Sequence, residues 1–123
     1  MYDAGTVIFA ATDDVLGQER AIKYHLIVCK STLRALYICG DGYPGDFEIL
    51  KTDCNGLEYE RSYISLSRVV NANNVLNNPK PKEICVLEDE FLCRLLDAVT
   101  SSRTLPLRDK KNIEYGLGKK LQF

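Results

Sequence analysis

The stretch KYHLIVCKSTLRALYICG, residues 23–40, decides the fold of this 123-residue chain. It holds two apolar runs, YHLIVC at 24–29 and RALYICG at 34–40, on either side of the short polar connection KSTL. Short apolar runs rich in β-branched and aromatic residues are typical of buried strands, and a short polar connection between two of them is typical of a hairpin. We therefore predict an antiparallel β-hairpin in this stretch.

Four more segments have the pattern of strands. The clearest is SYISLSRVV at 62–70, because its apolar and polar residues alternate. Loops rich in glycine, asparagine or proline separate the segments, as expected of turns. Short strands at this spacing, followed by one late helix, predict a small, mostly antiparallel barrel. The other three strands are TVIFAA at 6–11, FEILK at 47–51 and EICVL at 83–87, and the clearest loops are GDGYPGD at 40–46 and NANNVLNNPKPK at 71–82.

The most regular helical pattern covers about residues 88–102. Glu88, Asp89 and Glu90 put negative charge at its start, where the helix dipole is positive. We therefore predict a single barrel domain over 1–105 that ends in this helix. Its apolar stripe consists of Phe91, Leu92, Leu95, Leu96 and Val99.

The end of the chain differs in charge from the rest. Residues 103–123 contain six basic and two acidic residues, whereas residues 1–102 contain 10 basic and 15 acidic ones. We interpret 106–123 as a basic C-terminal tail that is able to track a phosphate backbone or an acidic partner, although a solvated basic end is the commoner reason for such a pattern. The alternation of Ile113, Tyr115 and Leu117 leaves open an extended arm, docked on the barrel or on a partner, or a disordered segment.

Composition excludes several classes of protein. The chain is 46% hydrophobic and 27% charged, and no apolar segment approaches the roughly 20 residues of a membrane span, so we expect no membrane partner. The N-terminal segment lacks the basic region of a signal peptide, so we predict a cytoplasmic protein. Its five cysteines are an odd number without a Cys-x-x-Cys pair, and we expect reduced thiols. With one histidine, we predict neither a metal site nor a cofactor.

The succession of GTVIFA, KYHLIVC, LYICG, SYISLSRVV and EICVLEDEFLCRLLDAV, over about residues 5–105, resembles the MazF/PemK-like toxin family of toxin–antitoxin systems. The resemblance implies a mostly β (α+β) fold, a small SH3-like antiparallel β-barrel with a C-terminal helix. It also implies a homodimeric endoribonuclease that cleaves single-stranded RNA without metal and is neutralised by a cognate antitoxin protein. The chain departs from the family at two positions. Lys23-Tyr24 stands where the family has Arg-Pro, and Cys39-Gly40-Asp41 stands where it has a catalytic threonine or serine.

Lys23 and His25 are the candidate catalytic pair. On a strand they share one face with Cα atoms about 6.6 Å apart, close enough for both side chains to reach one phosphate. An unperturbed histidine, with a pKa of about 6.5, suits proton transfer near neutral pH, and Asp41 could complete the catalytic set. The structural alternatives are a satisfied, partly buried His25 and a strand-entry charge at Lys23. The candidate RNA-binding residues are Arg20, Tyr24, Tyr43, Tyr63 and Ser65.

Two further functions stay open at this point. One is a non-catalytic barrel, a degenerate toxin that binds RNA or a protein partner. The other is a subunit of a larger defence or regulatory complex that uses the basic tail for attachment.

Overall fold

The computed structural model describes residues 2–12, 21–71 and 80–122. Within these ranges the chain forms seven strands and two helices. The strands are β1 (Thr6–Thr12), β2 (Ala21–Cys29), β3 (Arg34–Cys39), β4 (Phe47–Leu50), β5 (Arg61–Ile64), β6 (Val70–Asn71) and β7 (Lys82–Val86), and the helices are α1 (Asp89–Ser101) and α2 (Leu107–Leu121).

The strands form one curled antiparallel sheet, a half-barrel, in the order β4-β5-β3-β2-β1-β7, and β6 pairs with β3. The predicted fold class is confirmed, since the described chain is mostly β with a helix at its C-terminal end. The hairpin predicted from the opening stretch is also present, as β2 and β3 pair antiparallel. Its turn contains Leu33 at φ 51°, a left-handed conformation that is uncommon for a residue with a side chain.

Both faces of the central strands are buried. On the inner face, Val7, Leu26 and Leu36 pack with α1 in the main core. On the outer face, Ile8 and Ile27 belong to a second, smaller apolar cluster. Burial on both sides explains why these strands have nearly continuous apolar sequences instead of an alternating pattern.

Helix α1 lies where the sequence predicts it. Asp89 and Glu90 occupy its first turn, and the ring of Phe91 packs edge-on against Phe47 with the ring centres 5.6 Å apart. The spacing of its buried residues gives the helix one apolar face toward the sheet. Those residues are Phe91, Leu92, Leu95 and Val99.

Residues 107–121 form helix α2, which is neither an extended arm nor a disordered segment. Ile113 and Leu117 are four positions apart, and both are fully buried in the main core. Gly116 lies between them and contacts β2 so closely that a Cβ added there would collide with the carbonyl oxygen of Val28. Two residues of the alternation, Ile113 and Leu117, therefore belong to the buried face of a helix, while Tyr115 is 55% exposed, and that face needs glycine where the helix crosses the strand. None of the described helices is long and apolar enough to cross a membrane.

The expectation of reduced thiols is wrong for one pair of cysteines. Cys54 and Cys85 form a disulfide that links the turn after β4 to β7, with Cα atoms 5.9 Å apart. The two residues are 31 positions apart, and folding alone brings them together. Cys29, Cys39 and Cys93 are free thiols.

Candidate functional site

The candidate site is a row of side chains on the outer face of the sheet, formed by Lys23 on β2, Cys39 on β3 and Tyr63 on β5. Cys39 faces Tyr63 directly, and the register that pairs His25 with Tyr37 continues from Lys23 to Cys39. Residues that face each other across strands project to the same side of a sheet. We call these three residues the Lys23 row.

Lys23 is half-buried, and its Nζ lies 4.9 Å from the centre of the Tyr37 ring. An ammonium group over an aromatic face gains a cation–π attraction, which restricts where the lysine head lies. Tyr37 is 7% exposed and so provides a rigid support. The arrangement holds one positive charge on the outer face beside Cys39.

His25 lies beneath this charge, and its side chain is 0% exposed. Its Nδ1 is 2.9 Å from the carbonyl oxygen of Lys23, which can only accept, so Nδ1 carries the proton and donates it. The pKa of His25 is lowered to about 4, mainly by burial and also by the positive charge of Lys23, while the backbone hydrogen bond acts in the opposite direction. The ring packs 5.0 Å from that of Tyr37. In this position His25 is neutral at pH 7 and cannot contact RNA, and its Nε2 is buried with no hydrogen-bond partner among the described residues.

Cys39 occupies the position at which the resemblance expects a threonine or serine. Burial raises the pKa of its thiol, as do the charges of Asp46 and Asp41, while Lys23 acts in the opposite direction. The thiol is therefore protonated at neutral pH. It can serve as a proton donor, whereas a nucleophilic cysteine needs a lowered pKa.

Asp41 and Tyr43 lie in the exposed loop between β3 and β4, next to the Lys23 row. Asp46 fixes this loop, since its carboxylate accepts hydrogen bonds from the backbone N–H of Tyr43 (3.0 Å) and of Leu66 (3.1 Å). A Cβ added at Gly42 would lie 2.6 Å from the ring of Tyr63, so the loop passes directly over that ring. Tyr43 is 76% exposed and is free to stack on a base.

The three other candidate residues are Tyr24, Ser65 and Arg20. Tyr24 lies on the opposite face, where its ring is 4.8 Å from that of Phe9 and its hydroxyl donates to the carbonyl oxygen of Gly56 at 3.4 Å. Ser65 follows β5 and lies next to the site, because its backbone N–H donates to the carbonyl oxygen of Tyr37 at 2.9 Å; its hydroxyl shares a 3.0 Å hydrogen bond with that of Ser67. Arg20 lies outside the described residues.

Cys39 and Tyr37 were not singled out from the sequence as site residues. They lie near Lys23 because of a β-bulge in the hairpin, where the register shifts between Ile27 and Cys29. Without that shift, Lys23 would face Gly40. A bulge re-aims the side chains beyond it and leaves little trace in the sequence.

In chemical terms the site offers an ammonium, a protonated thiol, an exposed carboxylate and two tyrosine rings. Among the described residues, no group of three or more His, Cys, Asp or Glu side chains could hold a metal ion. Comparison of the chain with protein-family models and with curated proteins finds no match to either.

Proposed function

We propose that this chain binds single-stranded RNA across the Lys23 row and, like the MazF/PemK toxins that it resembles, cleaves it without a metal ion. The observation that supports this best is the position of Lys23 beside Cys39 and Tyr63 under the loop that carries Asp41. A cation near the half-buried ring of Tyr63 and the exposed ring of Tyr43 suits single-stranded nucleic acid, which needs a partner for its phosphates and aromatic surfaces for its unstacked bases.

In the proposed reaction, Lys23 neutralises the phosphate and the charge that develops on it. The ribose 2′ oxygen attacks phosphorus while its proton passes to the carboxylate of Asp41. The bond from phosphorus to the 5′ oxygen breaks, and that oxygen takes the proton of the Cys39 thiol. A proton then passes from Asp41 to Cys39, which restores both groups. The products are a 2′,3′-cyclic phosphate and a 5′-hydroxyl end.

His25 has a supporting role in this proposal. The hydrogen bond from its Nδ1 holds the backbone of Lys23, and its ring packs against Tyr37, which carries the lysine head. The proton transfer expected of His25 from the sequence would require its ring to leave this enclosed position.

The toxin proposal extends to partners and location. The protein would act in the cytoplasm as a homodimer, and a cognate antitoxin protein would cover the Lys23 row. The cytosol keeps most protein thiols reduced, so the Cys54–Cys85 pair would be present there largely as two thiols.

One observation favours a second candidate, the non-catalytic barrel. The only histidine of the chain is enclosed and neutral, which leaves Asp41 as the base of the site. A protein of this kind would bind RNA, or a protein partner, on the same surface and leave RNA intact.

The two candidates are separated by incubating the protein with a long single-stranded RNA in EDTA and mapping the ends of the products. Discrete cuts with 5′-hydroxyl ends, lost in Lys23→Gln and Asp41→Asn, would support the ribonuclease. The matched control is Arg94→Gln, which removes a positive charge from α1, away from the site. RNA that is bound but intact would support the second candidate, and RNA neither bound nor cut would exclude RNA as the ligand.

A further inference from the structure

Three arginines from three separate parts of the fold converge on one cleft. Arg34 begins β3, Arg68 lies between β5 and β6, and Arg108 lies in the first turn of α2. The cleft has a volume of about 450 Å³. Its other lining residues are Val69, Asn71, Pro106, Asp109 and Asn112. We call it the arginine cleft.

The described residues that line the arginine cleft carry more positive than negative formal charge. Among the described residues that line it, Asp109 provides one carboxylate against three guanidinium groups, which leaves a net formal charge of +2. Guanidinium groups are planar donors whose geometry matches the oxygens of a phosphate. Three such donors lining one cleft suit it to a negatively charged ligand.

Two asparagines add neutral hydrogen-bonding groups to the same cleft. Asn71 faces Arg34 across the pairing of β6 with β3. The side-chain amide of Asn112 donates to the carbonyl oxygen of Arg108 at 3.2 Å, which fixes its orientation on α2. Phosphate-binding surfaces combine charged and neutral donors in this way.

The positive surface continues beyond the cleft along α2. A second depression, of about 480 Å³, shares Arg108 and Asn112 with the arginine cleft and adds Lys111 and Leu107. Residues three and four positions apart lie on one side of a helix, so Arg108, Lys111 and Asn112 form a continuous edge. Such an edge fits a chain of phosphates better than a single one.

The arginine cleft is separate from the Lys23 row. Arg34 and Cys39 are the first and last residues of β3, a separation of about 17 Å at roughly 3.3 Å per residue. The odd number of steps between them also points their side chains to opposite faces of the strand.

We propose that the arginine cleft binds the phosphodiester backbone of single-stranded RNA, as a second contact remote from the Lys23 row. This inference rests on the proposed function for the identity of the ligand, and it does not depend on cleavage. The cleft supplies affinity without base recognition, because its donors match phosphate oxygens.

The test is fluorescence anisotropy of a labelled 20-nucleotide single-stranded RNA, in EDTA and at several salt concentrations. We compare the wild type, Arg34→Gln/Arg108→Gln, Lys23→Gln and the matched control Arg94→Gln. The double variant should bind RNA about tenfold more weakly at 0.1 M salt, and its plot of log affinity against log salt should be shallower by about 1.4, which is the loss of two phosphate contacts. Arg108→Gln alone, at an exposed position, should give about half of this change in slope and provides a variant with little risk to folding.

Unchanged affinity and slope in both arginine variants, with weakened binding in Lys23→Gln, would overturn the arginine cleft and leave the proposed function standing. A wild type that does not bind the RNA would overturn both. Displacement of the RNA by millimolar inorganic phosphate, at constant ionic strength and only when the arginines are present, would assign the cleft to free phosphate and overturn the RNA assignment.

Discussion

The Nζ of Lys23 lies 4.9 Å from the centre of the Tyr37 ring, and on the same face the ring of His25 lies 5.0 Å from that of Tyr37. One tyrosine therefore contacts both members of the pair that the sequence singled out. The two members differ in access, because Lys23 is half-buried while His25 is 0% exposed. In the proposed function we therefore give the electrostatic role to the lysine and the packing role to the histidine.

Lys23→Met should separate binding from stability. It keeps the apolar stem and removes the charge, so the free energy of unfolding should fall by no more than about 1 kcal/mol, the scale of one cation–π contact. RNA affinity should fall about threefold, since one phosphate contact is lost. Urea denaturation and RNA anisotropy measure the two effects. Lys23→Arg keeps the cation and should bind RNA at least as tightly as the wild type; weakened binding in that variant would show that a cation alone is not sufficient.

The buried His25 should make the free energy of unfolding depend on pH. Its pKa is about 4 in the folded protein and about 6.5 when unfolded, so below pH 6.5 the unfolded state binds more protons. The stability that it contributes is complete above about pH 6.5, falls as the pH decreases and levels off near pH 4. The full loss is on the order of 3 kcal/mol at about 1.4 kcal/mol per unit of pKa. Urea denaturation between pH 4 and pH 7.5 measures it.

The control for that titration is His25→Asn, whose amide nitrogen can replace Nδ1 as the donor to the carbonyl oxygen of Lys23. Carboxyl groups titrate in the same range, so the difference between wild type and variant is the informative quantity. A difference that does not change with pH would contradict the lowered pKa of His25.

The parts of the fold that the sequence predicted are those governed by local pattern. The runs around Leu26 and Leu36 are long enough to indicate a hairpin, and the spacing of Leu92 and Leu95 indicates a helix. The bulge near Ile27 could not be predicted, because it depends on how the two strands pack. That bulge places Lys23 opposite Cys39. The sequence therefore predicted site residues within each strand, but not which residues face each other across strands.

The disulfide and the arginine cleft were missed for a related reason. Cys54 and Cys85 are 31 positions apart, and Arg34, Arg68 and Arg108 are even further apart in sequence. No local pattern connects such residues, and only the tertiary fold brings them together. We expected reduced thiols because the number of cysteines is odd. An odd number is also compatible with one disulfide and three free thiols, which is what the structure contains.

Reduction of the Cys54–Cys85 disulfide should destabilise the fold without unfolding the barrel. Closing a loop of 31 residues removes unfolded-chain entropy worth roughly 3–4 kcal/mol in the chain-entropy model. Urea denaturation with and without reductant should show this loss, and Cys54→Ser/Cys85→Ser should match the reduced wild type. In the matched control, Cys93→Ser, the effect of reductant should persist. Alkylation of the unfolded, non-reduced protein should label three thiols, and five labelled thiols would show that the bond does not form in solution.

Gly116 and Gly118, two positions apart on α2, provide an internal comparison. A Cβ at Gly116 would collide with the carbonyl oxygen of Val28 and lie 2.6 Å from the Cα of Cys29, and neither backbone atom can move without shifting β2. A Cβ at Gly118 would have no atom within 4 Å. Gly116→Ala should therefore lower the free energy of unfolding by about 1–3 kcal/mol, the cost of overpacking. Gly118→Ala should raise it by up to about 1 kcal/mol, because alanine has a higher helix propensity than glycine. Equal effects of the two substitutions in thermal and urea denaturation would mean that α2 does not dock on β2 through Gly116.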